Sequence, residues 1–105
     1  MRFIETPIFT EDVSKELSSD EYRQVQVALM LRPEQGAIIR GSGGLRKVRW
    51  RRAGMGKRGG LRVIYYWETQ SETFYMLTLY RKSQQADLSP GQLRMLRRLV
   101  AEEFK

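Results

Sequence analysis

The sequence contains no cysteine and no histidine. Without cysteine there is no disulfide framework, no zinc–thiolate site and no cysteine nucleophile, and a reducing cytoplasm is the natural compartment. Without histidine, acid–base chemistry falls to carboxylates, Lys, Tyr or groups that Arg stabilises. No apolar run approaches the ~20 residues of a membrane span, so no membrane partner is expected. The opening MRFIETPIFTEDV has acids close behind it and no long apolar stretch, so a signal peptide is not expected. At 105 residues, one domain over 1–105 is expected, large enough for a modest core without staples. The most informative absence is of acids. Between Glu34 and Glu68 there is none, while Lys and Arg crowd GSGGLRKVRWRRAGMGKRGGLRVIYYW, from Gly41 to Trp67. The formal net charge is +7. A balance of this sign favours nucleic acid or another acidic partner.

Periodicity predicts the elements. Arg2 to Phe9 reads as a short strand, and Pro7 confines it to an edge. Thr10 is a cap for a helix from Glu11 to Leu17. SSDE is a capping box, with Ser18 at the N-cap and Glu21 at N3, and opens a helix running to about Arg32. Pro33 ends it. Ala37 to Ile39 is a short apolar stretch before the glycines. Strands are predicted over Leu45 to Arg52, Leu61 to Glu68 and Thr73 to Lys82. A last helix follows, with Ser89 as cap, Pro90 at N1 and Gln92 closing a second box. The order β-α-α-β-β-β-α predicts an α+β fold, a mostly antiparallel sheet with the helices packed on one face.

Alternation along strands then sorts the charges. Val48, Trp50, Val63, Tyr65, Leu77 and Leu79 form the predicted dry face. Lys47, Arg49, Arg62 and Lys82, with Tyr66 and Tyr80, form the opposite one. Long basic side chains on a solvated sheet face are ordinary. Like charges opposed across strands are not, because they destabilise the sheet. A phosphate would relieve them, since its oxygens take charge-assisted hydrogen bonds and Arg grips them in a fork. The glycines do not make a nucleotide P-loop. Gly56-Lys57 is followed by Arg58 where Ser or Thr is needed, and Arg51 stands at the upstream Gly position.

The element order, with GGLRKVR, GKRGGLRVIYY and LTLYRKSQQADLSPGQ, resembles the HigB branch of the RelE/ParE toxin superfamily over nearly the whole chain. The resemblance implies the toxin of a type II toxin–antitoxin module. Such a protein is an mRNA interferase that enters the ribosomal A site and cleaves mRNA there. Its expected partners are the ribosome, mRNA and a cognate antitoxin, a HigA-like helix-turn-helix protein. No cofactor or metal is implied. The family's basic pair on the first strand of the hairpin series falls on Lys47 and Arg49. Its Arg at the start of the next strand falls on Arg62, and its cation at the end of the following one on Lys82. By alternation Arg81 points the other way. Some relatives carry a Tyr a few residues later and others use histidines; here that region reads QQADLS, with Asp87. The identity of the acid and base therefore stays open.

The implied chemistry is attack of a ribose 2′-OH on the adjacent phosphodiester. Arg62 would clamp the transition state and Arg49 hold the phosphate. Lys47 is a candidate base, since like charges around an ammonium favour its neutral form. Lys82 would support the leaving oxygen or act as acid, and Asp87 would orient Lys82 or be the base itself. Tyr66 and Tyr80 could stack on bases. Arg46, Lys57 and Arg58 could grip RNA, and Arg97 and Arg98 could touch ribosomal RNA or be plain solvated charges. The rival readings are a gyrase-inhibiting toxin of the same superfamily and a non-catalytic nucleic-acid-binding module.

Overall fold

The first boundary is set by Pro7. Its missing N–H and fixed φ suit the first position of a helix better than a strand. Thr6 supplies the cap, its Oγ1 accepting the N–H of Phe9 at 3.1 Å. The first helix therefore starts at Pro7 rather than Glu11, with Thr6 and not Thr10 as its cap, and the strand before it stops at Glu5 rather than Phe9. The computed structural model describes residues 1–51 and 60–103. Its elements are β1 (Arg2–Glu5), α1 (Pro7–Glu16), α2 (Ser19–Leu31), β2 (Ala37–Ile38), β3 (Arg46–Trp50), β4 (Leu61–Glu68), β5 (Thr73–Arg81) and α3 (Pro90–Glu103). The expected order thus gains a strand, because Ala37 and Ile38 pair with Lys47 and Arg46.

Both capping boxes form. Ser18 Oγ accepts the Glu21 N–H and Glu21 Oε1 accepts the Ser18 N–H, each at 3.1 Å. At α3, Ser89 Oγ accepts the Gln92 N–H at 3.1 Å while Gln92 Oε1 accepts the Ser89 N–H at 2.8 Å. The sheet runs β1-β5-β4-β3-β2. β1 lies parallel to β5, and the other neighbours are antiparallel. This is the α+β, mostly antiparallel architecture that the sequence implies. Among the described residues no helix is long and apolar enough to cross a membrane.

The helices do not share one face. Phe9 and Val13 of α1, with Leu17, Val25 and Leu29 on or next to α2, pack on Val48, Val63, Tyr65, Met76 and Leu79. Leu96 and Val100 of α3 pack on Leu45, Ile64, Leu77 and Tyr80, on the other side. A bulge in β5 explains the difference. Ile64 pairs with Thr78 but Tyr65 pairs with Met76, which leaves Leu77 as the extra residue. Alternation changes phase there. Leu77 joins the α3 side instead of sharing a face with Leu79, while Phe74 and Met76 cross to the side of α1 and α2. β4 is consequently buried on both faces from Leu61 to Tyr65.

The turn after α2 is tied to the sheet. Tyr65 Oη donates to the Pro33 carbonyl at 2.8 Å and accepts the Gly36 N–H at 3.0 Å. A Cβ at Gly36 would lie 2.8 Å from the Tyr65 ring, so this close approach requires glycine. Arg46 Nη1 donates to the carbonyls of Glu34 and Gly36 at 3.0 and 2.8 Å. These bonds hold β2 against β3.

Candidate functional site

Sheet register builds the site. Arg49 lies directly across from Arg62, and Arg62 directly across from Tyr80. In the next row towards α3, Lys47 faces Ile64 and Ile64 faces Thr78. Lys47, Arg49 and Arg62 therefore share the face that alternation assigns them. That face is not uniformly cationic, however. α3 covers it over the fully buried Ile64, and Arg62 in the neighbouring row is buried too.

Arg62 is only 8% exposed, and its described hydrogen bond is a long one, 3.4 Å from Nη1 to the Leu61 carbonyl. Burying a cation is costly unless something negative compensates. A negative group that acts on the same row, through Tyr80, is Asp87. Its Oδ1 lies 3.0 Å from Lys47 Nζ, with the two side chains 74% and 24% exposed. Gln85 Nε2 donates both to the Asp87 carbonyl at 2.9 Å and to Gln92 Oε1 at 3.1 Å. Because Gln92 also closes the capping box, the start of α3 fixes the loop that presents Asp87. Asp87 thus pairs with Lys47 and not with Lys82, which it would orient in one of the two roles open to it. Tyr80 is 7% exposed, and its hydroxyl has no hydrogen-bond partner among the described residues. Burial pushes its pKa up, the Asp87 charge adds to this, and the Arg62 charge opposes it. Asp87 and Arg62 are therefore each within electrostatic reach of Tyr80.

The remaining candidates are less convergent. Lys82 opens the turn after β5 and is exposed; its N–H donates to the Gly60 carbonyl at 3.1 Å. Among the described residues Lys82 forms no ion pair. Arg81 turns to the α1 side, where its Nε reaches both oxygens of Glu16 at 2.9 and 2.7 Å. Arg46 is engaged with the chain's own carbonyls on the side away from Lys47. Tyr80 is too buried to offer a stacking surface. Tyr66 is half-buried in the α3 cluster, and a Cβ on Gly44 would sit 3.1 Å from its ring. Arg97 and Arg98 are exposed on α3. Lys57 and Arg58, with most of the glycine-rich connection, lie outside the described residues.

One feature was missed by sequence reasoning. A groove of about 580 Å³ runs from Lys47 and Arg49 to β2, floored by Ala37, Ile38 and Ile39 and flanked by the exposed Arg40. Its only signal was an arginine placed between an apolar run and GSGG. Among the described residues no cluster of Cys, His, Asp or Glu could hold a metal ion. What the arrangement offers is a set of cations with one carboxylate and one hydroxyl, suited to gripping a phosphodiester.

A family model described as the RelE toxin of the RelE/RelB toxin–antitoxin system matches residues 8–105. Solved structures with a similar fold include two from E. coli. A chain of the intact E. coli RelBE toxin–antitoxin complex is 14% identical, with 75% of this chain and 93% of that one covered and a TM-score of 0.57. A doubly substituted E. coli toxin RelE in the free state is 13% identical, with 98% and 96% covered and a TM-score of 0.59.

Proposed function

Because this chain belongs to the RelE toxin family, we propose that it is the toxin of a type II toxin–antitoxin module, an endoribonuclease that cuts mRNA on the ribosome and so stops translation. The observation that carries this reading is the row Arg49–Arg62–Tyr80 beside the Lys47–Asp87 pair. It is a cationic site with a carboxylate at its edge and a groove leading away from it. The motifs GGLRKVR and GKRGGLRVIYY support a place in the HigB branch, and with it a HigA-like antitoxin and a cytoplasmic setting.

In the proposed reaction a ribose 2′-OH attacks the adjacent phosphorus. The 2′-oxygen–phosphorus bond forms, the bond to the 5′-oxygen breaks, and a cyclic phosphate and a free 5′-OH result. Arg62 and Arg49 stabilise the charge that develops on the non-bridging oxygens. Asp87 takes the 2′-OH proton once Lys47 turns from it to the incoming phosphate. Lys82 donates the proton that the departing 5′-oxygen takes up. Arg40 and the floor of the groove carry the flanking nucleotides.

The test is cell-free translation with mapping of mRNA 5′ ends, for the parent and Arg62→Ala. The parent should generate new ends within translated codons. Arg62→Ala should lose about a hundredfold or more of that activity while its circular dichroism stays that of a folded protein. A folded Arg62→Ala variant that cuts like the parent overturns the site. Relaxed plasmid in a gyrase assay, with mRNA intact, would favour the gyrase-inhibiting reading. Salt-sensitive RNA binding without cutting would favour the binding module.

A further inference from the structure

Tyr80 contains a contradiction in the fold as it stands. Its ring packs among Ile64, Leu77, Leu96 and Val100, where a phenylalanine would pack equally well. Its hydroxyl is closed to solvent and finds no partner among the described residues. An unmade hydrogen bond on a buried group costs stability. The hydroxyl therefore contributes nothing that the resting structure reveals.

Its neighbourhood suggests a use. Tyr80 stands directly across the β4–β5 ladder from Arg62. Both side chains are more than nine-tenths buried. Arg62 has N–H donors in a rigid fork, and its described bond to Leu61 is long. A fork of this kind grips a phosphate well only when its plane is fixed. The phenol stays protonated because burial and the Asp87 charge outweigh the pull of Arg62. A neutral hydroxyl can accept an N–H from Arg62 and point its own hydrogen towards Asp87.

We propose that Tyr80 is a positioning residue, whose hydroxyl accepts an N–H of Arg62 when the guanidinium takes a phosphodiester and so fixes the plane of the fork. This inference rests on the nuclease reading for the identity of the anion. It replaces base stacking by the ring with a role for the oxygen alone.

Tyr80→Phe separates the two, because it keeps the ring and removes the oxygen. The variant should melt at or above the parent temperature. Its kcat/KM should fall about ten- to a hundredfold. In an Arg62→Lys background, the same change should cost nothing further, since the hydroxyl acts through the guanidinium. A Tyr80→Phe variant that melts lower, cuts like the parent, or loses equally in the Arg62→Lys background overturns the proposal. A second arm is independent of cutting. The Arg62 guanidinium signals, assigned by their loss in Arg62→Lys, are followed by NMR as a 2′-O-methyl oligonucleotide is added. They should become restricted in the parent and stay mobile in Tyr80→Phe. If the parent cuts no RNA, the nuclease reading falls and this arm decides Tyr80 by itself; equal restriction in both proteins overturns the inference.

Discussion

Asp87 and Lys47 form an ion pair at the edge of the proposed site. In the free protein the carboxylate occupies the ammonium, at 3.0 Å. The pair is partly solvated, and exposed ion pairs contribute only about 0–1 kcal/mol to stability. Its value is then local: an incoming phosphate competes with Asp87 for Lys47. Asp87→Asn removes the competitor and the proposed proton acceptor together. The two losses have different kinetic signatures. KM for RNA should fall, because Lys47 is released, and kcat should fall by about a hundredfold, because general-base catalysis contributes ~10²–10⁴. Steady-state cleavage of a ribosome-programmed message measures both. Unchanged kcat would remove Asp87 from the chemistry and return the base to Lys47.

At the level of elements, helix caps make the same separation between stability and function. Ser18 and Ser89 have the same job, each bonding the N–H three residues on. Replacing either by Ala should cost about 1 kcal/mol. Only the α3 cap is joined to the site, because Gln92 bonds both the Ser89 N–H and Gln85, which holds the Asp87 carbonyl. Ser89→Ala should therefore lower cleavage as well as melting temperature, and Ser18→Ala should lower melting temperature alone. Equal activities in the two variants would show that the cap does not steady Asp87. The caps were legible in the sequence because a capping box is a local pattern of four neighbouring residues. So was the grouping of Lys47, Arg49 and Arg62, because β3 and β4 pair without irregularity. What alternation missed depends on contacts distant in sequence. The bulge at Leu77 changes the phase of β5 and gives the sheet apolar residues on both faces, which α3 then covers. That cover turns Tyr80 from an expected stacking ring into a buried one. Thr6 and Pro7 were readable as a cap and N1 position, but Thr10 offered the same chemistry one turn later and obscured them.

Over the whole molecule, charge is polarised. Six of the twelve acids lie on α1, α2 or the turn that follows them, and none lies between Glu34 and Glu68. α1 and α2 pack on one face of the sheet, while Lys47, Arg49 and Arg62 share the other. On the proposed reading, a net charge of +7 with Lys47, Arg49 and Arg62 on one face would steer the encounter with a polyanion. Binding should then follow counterion release, with a slope of about −0.7 in log K against log salt for each phosphate neutralised on a single strand. Engagement by Lys47, Arg49 and Arg62 gives a slope of roughly −2, so fourfold more salt should weaken binding by roughly twentyfold. Fluorescence titration of an uncleavable oligonucleotide across a salt series measures this directly. Arg49→Ala should reduce the slope by about 0.7. Arg23→Ala, an exposed arginine on α2 beyond the opposite face, should leave it unchanged. Equal slopes for parent and Arg49→Ala, or a slope that falls with Arg23→Ala, would place the RNA somewhere other than the β3–β4 face.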